Sequence, residues 1–106
     1  MNPSVEVAMQ EAIQNVINQI PTGYVFDSHF VIAQIIKLNS ETYLTFIASR
    51  FASAATVTAA AVNGQIALVL KKCGNIERME ENGQPLESWS ENIHANPNEC
   101  ACWRKM

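Results

Sequence analysis

No lysine or arginine occurs before position 37, and only seven occur in all: Lys37, Arg50, Lys71, Lys72, Arg78, Arg104 and Lys105. A protein that held nucleic acid chiefly by releasing counterions from phosphate would carry a denser cationic footprint. The chain also lacks any apolar run near the roughly 18 residues that span a bilayer. Its start, Met1-Asn2-Pro3-Ser4-Val5-Glu6, lacks the positive and apolar regions of a secretory signal. The expectation is a cytoplasmic protein with no membrane partner. Glycine is sparse, and Gly23, Gly64, Gly74 and Gly83 each stand alone, which excludes a phosphate-cradling loop. Cysteine is odd in number: Cys73, Cys100 and Cys102 include a Cys-x-Cys too close for an easy bridge, which fits a reducing compartment with free thiols.

What is present describes one folded domain. The 106 residues are 48% apolar and only 16% charged, with a formal net charge of −3, enough apolar content for a single core without staples. Val5, Met9, Ala12, Ile13, Val16, Ile17 and Ile20 recur at three- and four-residue spacing and predict an amphipathic helix. Asn2 can cap it, and Pro21 ends it. A short β-prone run, Tyr24-Val25-Phe26, follows. Asp27 or Ser28 then caps a second helix with Val31, Ile32, Ile35, Ile36 and Leu38 as apolar positions. Asn39-Ser40 restarts a third, with Tyr43, Leu44, Ile47, Ala48 and Phe51 on one side, unless the two form one bent helix. Residues 53–58 read as a linker, with Thr56 or Thr58 capping a fourth helix that runs to about Cys73 and closes on Gly74 in a left-handed conformation.

A hairpin is predicted next, over residues 76–89. Asn82-Gly83 is a strong tight-turn dipeptide, and Pro85 belongs at a sheet edge. Two strands alone are marginal, so the hairpin must pack on the helices or recruit residues 24–26. The tail, 91–106, has no helical period. Trp103 is expected to tie it down, with Trp89 as a neighbour, and Arg104-Lys105-Met106 to fray.

This order of elements, with the fourth helix ending Ile66-Ala67-x-x-Leu70-x-x-x-Gly74 before a hairpin, resembles the winged-helix superfamily over roughly residues 5–90. The fold class expected is therefore α+β and mostly helical, with about four helices followed by a β-hairpin wing, in a single domain 1–106. The resemblance implies a dimeric DNA-binding transcriptional regulator whose fourth helix enters the major groove while the wing reaches the backbone. Asn63, Gln65, Lys71, Lys72 and Arg78 would then be the nucleic-acid contacts.

Two features depart from that pattern. Turned at 100° per residue, the fourth helix puts Val62, Ile66, Val69, Leu70 and Cys73 on its core side. Ala60, Ala61, Gly64, Ala67, Leu68 and Lys71 fall on the other, where a DNA reader would carry donors and positive charge. This side is either buried in a central helix or an interface for another protein. The predicted wing carries Glu77, Glu80, Glu81 and Glu87 against Arg78 alone, the wrong sign for phosphate.

No catalytic or metal arrangement rises above these features. Asp27-Ser28-His29 holds triad residue types, but neighbours in sequence do not adopt nucleophile-base-orienter geometry, and capping accounts for the first two. His94 with Cys100 and Cys102, and with Cys73, has no usual zinc spacing. The expectation is a small non-enzymatic interaction protein without cofactor or small-molecule substrate, which dimerises or inhibits a protein partner through Ala60, Gly64, Ala67, Leu68, Glu80 and Glu81. The alternative is the DNA-binding regulator.

Overall fold

The computed structural model describes residues 3–51, 59–91, 95 and 97–106, and the side chains of 3, 59, 60, 62 and 63 also lie outside that description. Four helices are followed by short antiparallel strands, the α+β layout expected: α1 (Pro3–Gln19), β1 (Val25–Asp27), α2 (Ser28–Leu38), α3 (Ser40–Phe51), α4 (Ala59–Leu70), β2 (Ile76–Arg78), β3 (Glu80–Glu81), β4 (Gln84–Pro85), β5 (Glu87–Glu91) and β6 (Pro97–Lys105). The candidate caps Asn2, Thr56 and Thr58 fall outside the described residues.

The helices are built as their periodicity dictates. Met9, Ile13 and Ile17 form the fully buried stripe of α1, and meet Val31 and Ile32 of α2, Phe46 of α3, and Val69 and Leu70 of α4 in one core. Asp27 is the N-cap of α2, its Oδ1 accepting from the Phe30 N–H at 2.8 Å. Asn39 separates α2 from α3 without glycine or proline. It leaves helical geometry at φ −150°, ψ 56°, and its Oδ1 accepts from Thr42 Oγ1 at 2.9 Å at the start of the next helix, so two helices form and not one bent one. The face of α3 differs from expectation. Phe46 is its most buried residue and Leu44 is exposed, because the stripe runs Tyr43, Phe46, Ile47, Arg50 at three- and four-residue spacing.

The end of α4 is also tighter than predicted. Regular helix stops at Leu70, and the Lys72 and Cys73 N–H groups donate to Val69 and Leu70 carbonyls three residues back. The left-handed residue is Asn75 at φ 65°, not Gly74. Gly74 is instead held by Gln14 of α1, whose amide accepts from its N–H at 2.9 Å and donates to its carbonyl at 3.2 Å. A remote side chain thus does what a local glycine conformation was expected to do.

The strands depart most from the sequence reading. Asn82 and Gly83 do form a tight turn with both φ values positive, but it joins only the two-residue strands β3 and β4. β2 and β5 do not pair with each other. Both pair with β6, along with β1, so the tail left outside the core supplies the central strand, in the order β1-β6-β2 with β5 on β6 as well. β2 faces residues 103–105 and β5 faces 97–101, making one interrupted partner strand from which residues 79–86 loop out. Where the partner changes, the burial alternation of β6 slips: Cys100, Trp103 and Lys105 are its buried positions, as at a bulge.

Trp103 is buried and faces Phe26 and Arg78 in the ladder, whereas Trp89 is 69% exposed and faces Glu99. The end of the chain does not fray either. Lys105 is 9% exposed, and its Nζ donates to the carbonyls of Ile17 at 2.9 Å and Ile20 at 3.0 Å. It thereby closes the C-terminal end of α1, where unpaired carbonyls and the helix dipole both favour a cation.

Candidate functional site

The exposed side of α4 is where sequence and structure meet most directly. Ile66, Val69, Leu70 and Cys73 are buried, while Gly64, Leu68 and Lys71 are exposed and Ala67 is half-buried. A Cβ added at Gly64 meets nothing within 4 Å. The helix is therefore not buried on both sides. It presents a small, apolar outer face with Leu68 54% exposed at its centre. Ala60 and Asn63 belong to the same helix, with side chains outside the described residues, and Gln65 is half-buried on the flank. Glu80 and Glu81 form β3, exposed beside the Asn82-Gly83 turn, so the six candidate interface positions do not lie on one element.

The basic residues tell a second story. Lys72 Nζ lies 2.8 Å from Glu6 Oε1, and Arg50 Nη2 lies 3.6 Å from the same carboxylate while its guanidinium covers the Phe46 ring at 4.9 Å. Lys72 is the chief cause that lowers the Glu6 pKa. Arg104 pairs with Glu77 across the β2–β6 ladder. Arg78 spends its whole fork inside the fold: Nη1 donates to the carbonyls of Leu86, of Cys102 at 3.1 Å and of Met79 at 3.3 Å, and Nη2 to Glu87 Oε1 at 2.9 Å. Its guanidinium lies 5.8 Å from the Trp103 ring centre. It pins the base of the 79–86 loop, where the partner strand is interrupted. With Lys105 capping α1, five of the seven cations are engaged. Only Lys37 and Lys71 carry no ion pair or side-chain hydrogen bond among the described residues.

A polar network joins the start of α2 to the β5–β6 hairpin. Asp27 Oδ2 accepts from the hydroxyls of Ser88 at 2.8 Å and Ser90 at 2.9 Å, and Ser90 Oγ lies 2.7 Å from His29 Nδ1. Since the one Ser90 proton goes to the carboxylate, His29 Nδ1 must carry the hydrogen toward Ser90. Trp103 Nε1 donates to Ser28 Oγ at 3.2 Å. Burial acts to raise the Asp27 pKa, but the Phe30 N–H, the two serine hydroxyls and His29 outweigh it and hold the carboxyl below its ordinary range. The order is Asp-Ser-His with serine in the middle. It lacks the histidine between nucleophile and carboxylate that activates a serine, and its geometry fastens the hairpin to α2. Sequence reasoning saw Asp27 as a cap but not this network, because Ser88 and Ser90 lie about sixty residues away.

The three thiols are free, with Cys73 and Cys100 buried. Burial pushes Cys73 up to about 11 and raises Cys100 as well, so neither is a ready thiolate nucleophile. Among the described residues no group of three His, Cys, Asp or Glu side chains could hold a metal ion, and His94 lies outside them. No helix of the described residues is long and apolar enough to cross a membrane. Comparison with protein-family models, curated proteins and solved structures finds no match to this chain.

Proposed function

We propose that the protein is a small non-enzymatic interaction protein of winged-helix type that self-associates, or inhibits a partner protein, through the outer face of α4. The observation that carries this reading is the engagement of Arg50, Lys72, Arg78, Arg104 and Lys105 within the fold. Lys72 and Arg78, two of the three cations a DNA-reading helix and wing would have used, hold structure together instead. Phosphate contact by either would first break an existing contact, a surface ion pair for Lys72 and half-buried carbonyl bonds for Arg78. The surface that remains at α4 is apolar, with Gly64 open and Leu68 projecting. Free thiols in a chain without a disulfide fit a cytoplasmic location.

The DNA-binding alternative keeps one observation in its favour. The order of elements, α4 with one exposed side followed by short antiparallel strands that β1 joins, supports it by resemblance to a winged helix. Light scattering separates the two readings. The wild type is expected to self-associate at micromolar concentration, and Gly64→Leu, at an exposed position where a Cβ meets nothing within 4 Å, to return it to a monomer with unchanged helical content. Replacing an exposed helical glycine adds stability of up to about 1 kcal/mol, so unfolding of this variant would contradict the exposed-face assignment. A wild-type monomer would remove self-association and leave only a foreign partner.

A further inference from the structure

The β5–β6 hairpin has two faces of opposite character. Toward α2, Cys100 is buried and Ser88 and Ser90 are half-buried, the serines tied to Asp27. On the other side Glu87, Trp89, Glu91, Pro97 and Glu99 are all exposed. The register pairs Trp89 with Glu99, Glu87 with Ala101 and Glu91 with Pro97. Residues directly opposite share a face with Cβ atoms about 5 Å apart, and neighbours two along a strand lie about 7 Å away. The Trp89 indole thus stands among three carboxylates: one across from it and one on either side along its own strand.

Most of this face is unpartnered among the described residues. Glu87 pairs with Arg78, but Glu91 and Glu99 meet no cation among the described residues. No lysine or arginine occurs between Arg78 and Arg104, a stretch that holds Glu80, Glu81, Glu87, Glu91 and Glu99. The Trp89 side chain is the largest apolar group on the surface and is 69% exposed, whereas an indole usually finds something to bury against. Charge decides what that is. The ring face attracts a cation, arginine above all, and flanking carboxylates accept the guanidinium fork. Nucleic acid, an acidic protein or a second copy of this same face would be repelled.

We propose that this face docks a basic segment of a partner protein, with an arginine laid over Trp89 and held by Glu91 and Glu99. The proposal rests on the protein-contact reading but on a different element from α4, so each fails alone.

The test uses the intact chain and dye-labelled, end-blocked hexa-arginine, followed by fluorescence anisotropy at low salt. Trp89→Ala, and separately Glu91→Gln with Glu99→Gln, are expected to bind about tenfold more weakly than wild type. Glu80→Gln with Glu81→Gln, equal in charge change but on the short turn, is expected to stay within about twofold. Gly64→Leu should bind like the wild type. All the altered residues are exposed, and a far-UV spectrum verifies folding; the glutamine pair carries the test if Trp89→Ala misfolds. Absence of wild-type binding, undiminished binding by Trp89→Ala, or equal weakening by the turn variant would each overturn the proposal.

Discussion

The helical half and the strand half of this molecule are held together by different means. In the helical half, Met9, Ile13, Val31, Ile32, Phe46, Val69 and Leu70 interlock in an apolar core, with the Gln14 and Glu6 contacts added at its surface. In the strand half, Phe26 and Trp103 join that core, and the short strands are further fastened by single charged or polar side chains reaching across the fold: Asp27 to Ser88 and Ser90, Arg78 to three carbonyls, Lys105 to the end of α1. A short sheet has too little apolar area to hold itself, and a well-satisfied charge-assisted bond contributes more than a neutral one. The difference bears on function, because cations used as fasteners are not available to a ligand, and the charge left over for a partner is negative.

The sharpest way to break that comparison is to neutralise one fastener and one free cation. Lys105→Met removes the charged donor from the Ile17 and Ile20 carbonyls, leaving Ile17 only the Ile20 N–H, and should cost about 2–3 kcal/mol in urea unfolding. Lys37→Met, in the helical half, should stay within about 0.5 kcal/mol. Equal effects would show that the two halves are not held differently.

A smaller effect is expected from pH. The folded Asp27 carboxyl lies below its ordinary 3.8, so its contribution is complete above that value and is lost as pH falls through the folded pKa. Asp27→Asn, which can still cap α2, should therefore be less stable than wild type by about 1 kcal/mol near neutrality. The gap should close as the pH drops below 3.8 in a thermal-melt series; a gap that is constant with pH would place the carboxylate outside the fastening.

The same division explains what was legible in the sequence. Four helices follow from three- and four-residue apolar spacing and from local stops such as Pro21, because those signals are contained within each segment. The helical wheel of α4 separates its two sides for the same reason, but whether the outer side is buried or exposed depends on what packs against it and is not written in the helix. Strand pairing was not legible either. Asn82-Gly83 specifies its tight turn, but nothing local says that Ile76 should face Lys105 or that Trp89 should face Glu99. The network of Asp27 with Ser88 and Ser90, and the Lys105 cap, join residues 61 to 88 positions apart, beyond the reach of periodicity. Local pattern therefore predicts a fraying Lys105 and a Trp89 near Trp103, whereas Lys105 and Trp103 are buried and Trp89 is exposed.

The central claim, that the cations serve the fold and leave the surface to proteins, is tested most directly by titrating the intact protein into labelled duplex DNA at low salt. The account predicts no saturable binding at concentrations where even non-specific DNA-binding proteins associate, roughly 1–100 µM. Saturable binding that weakens steeply as salt is added would contradict it.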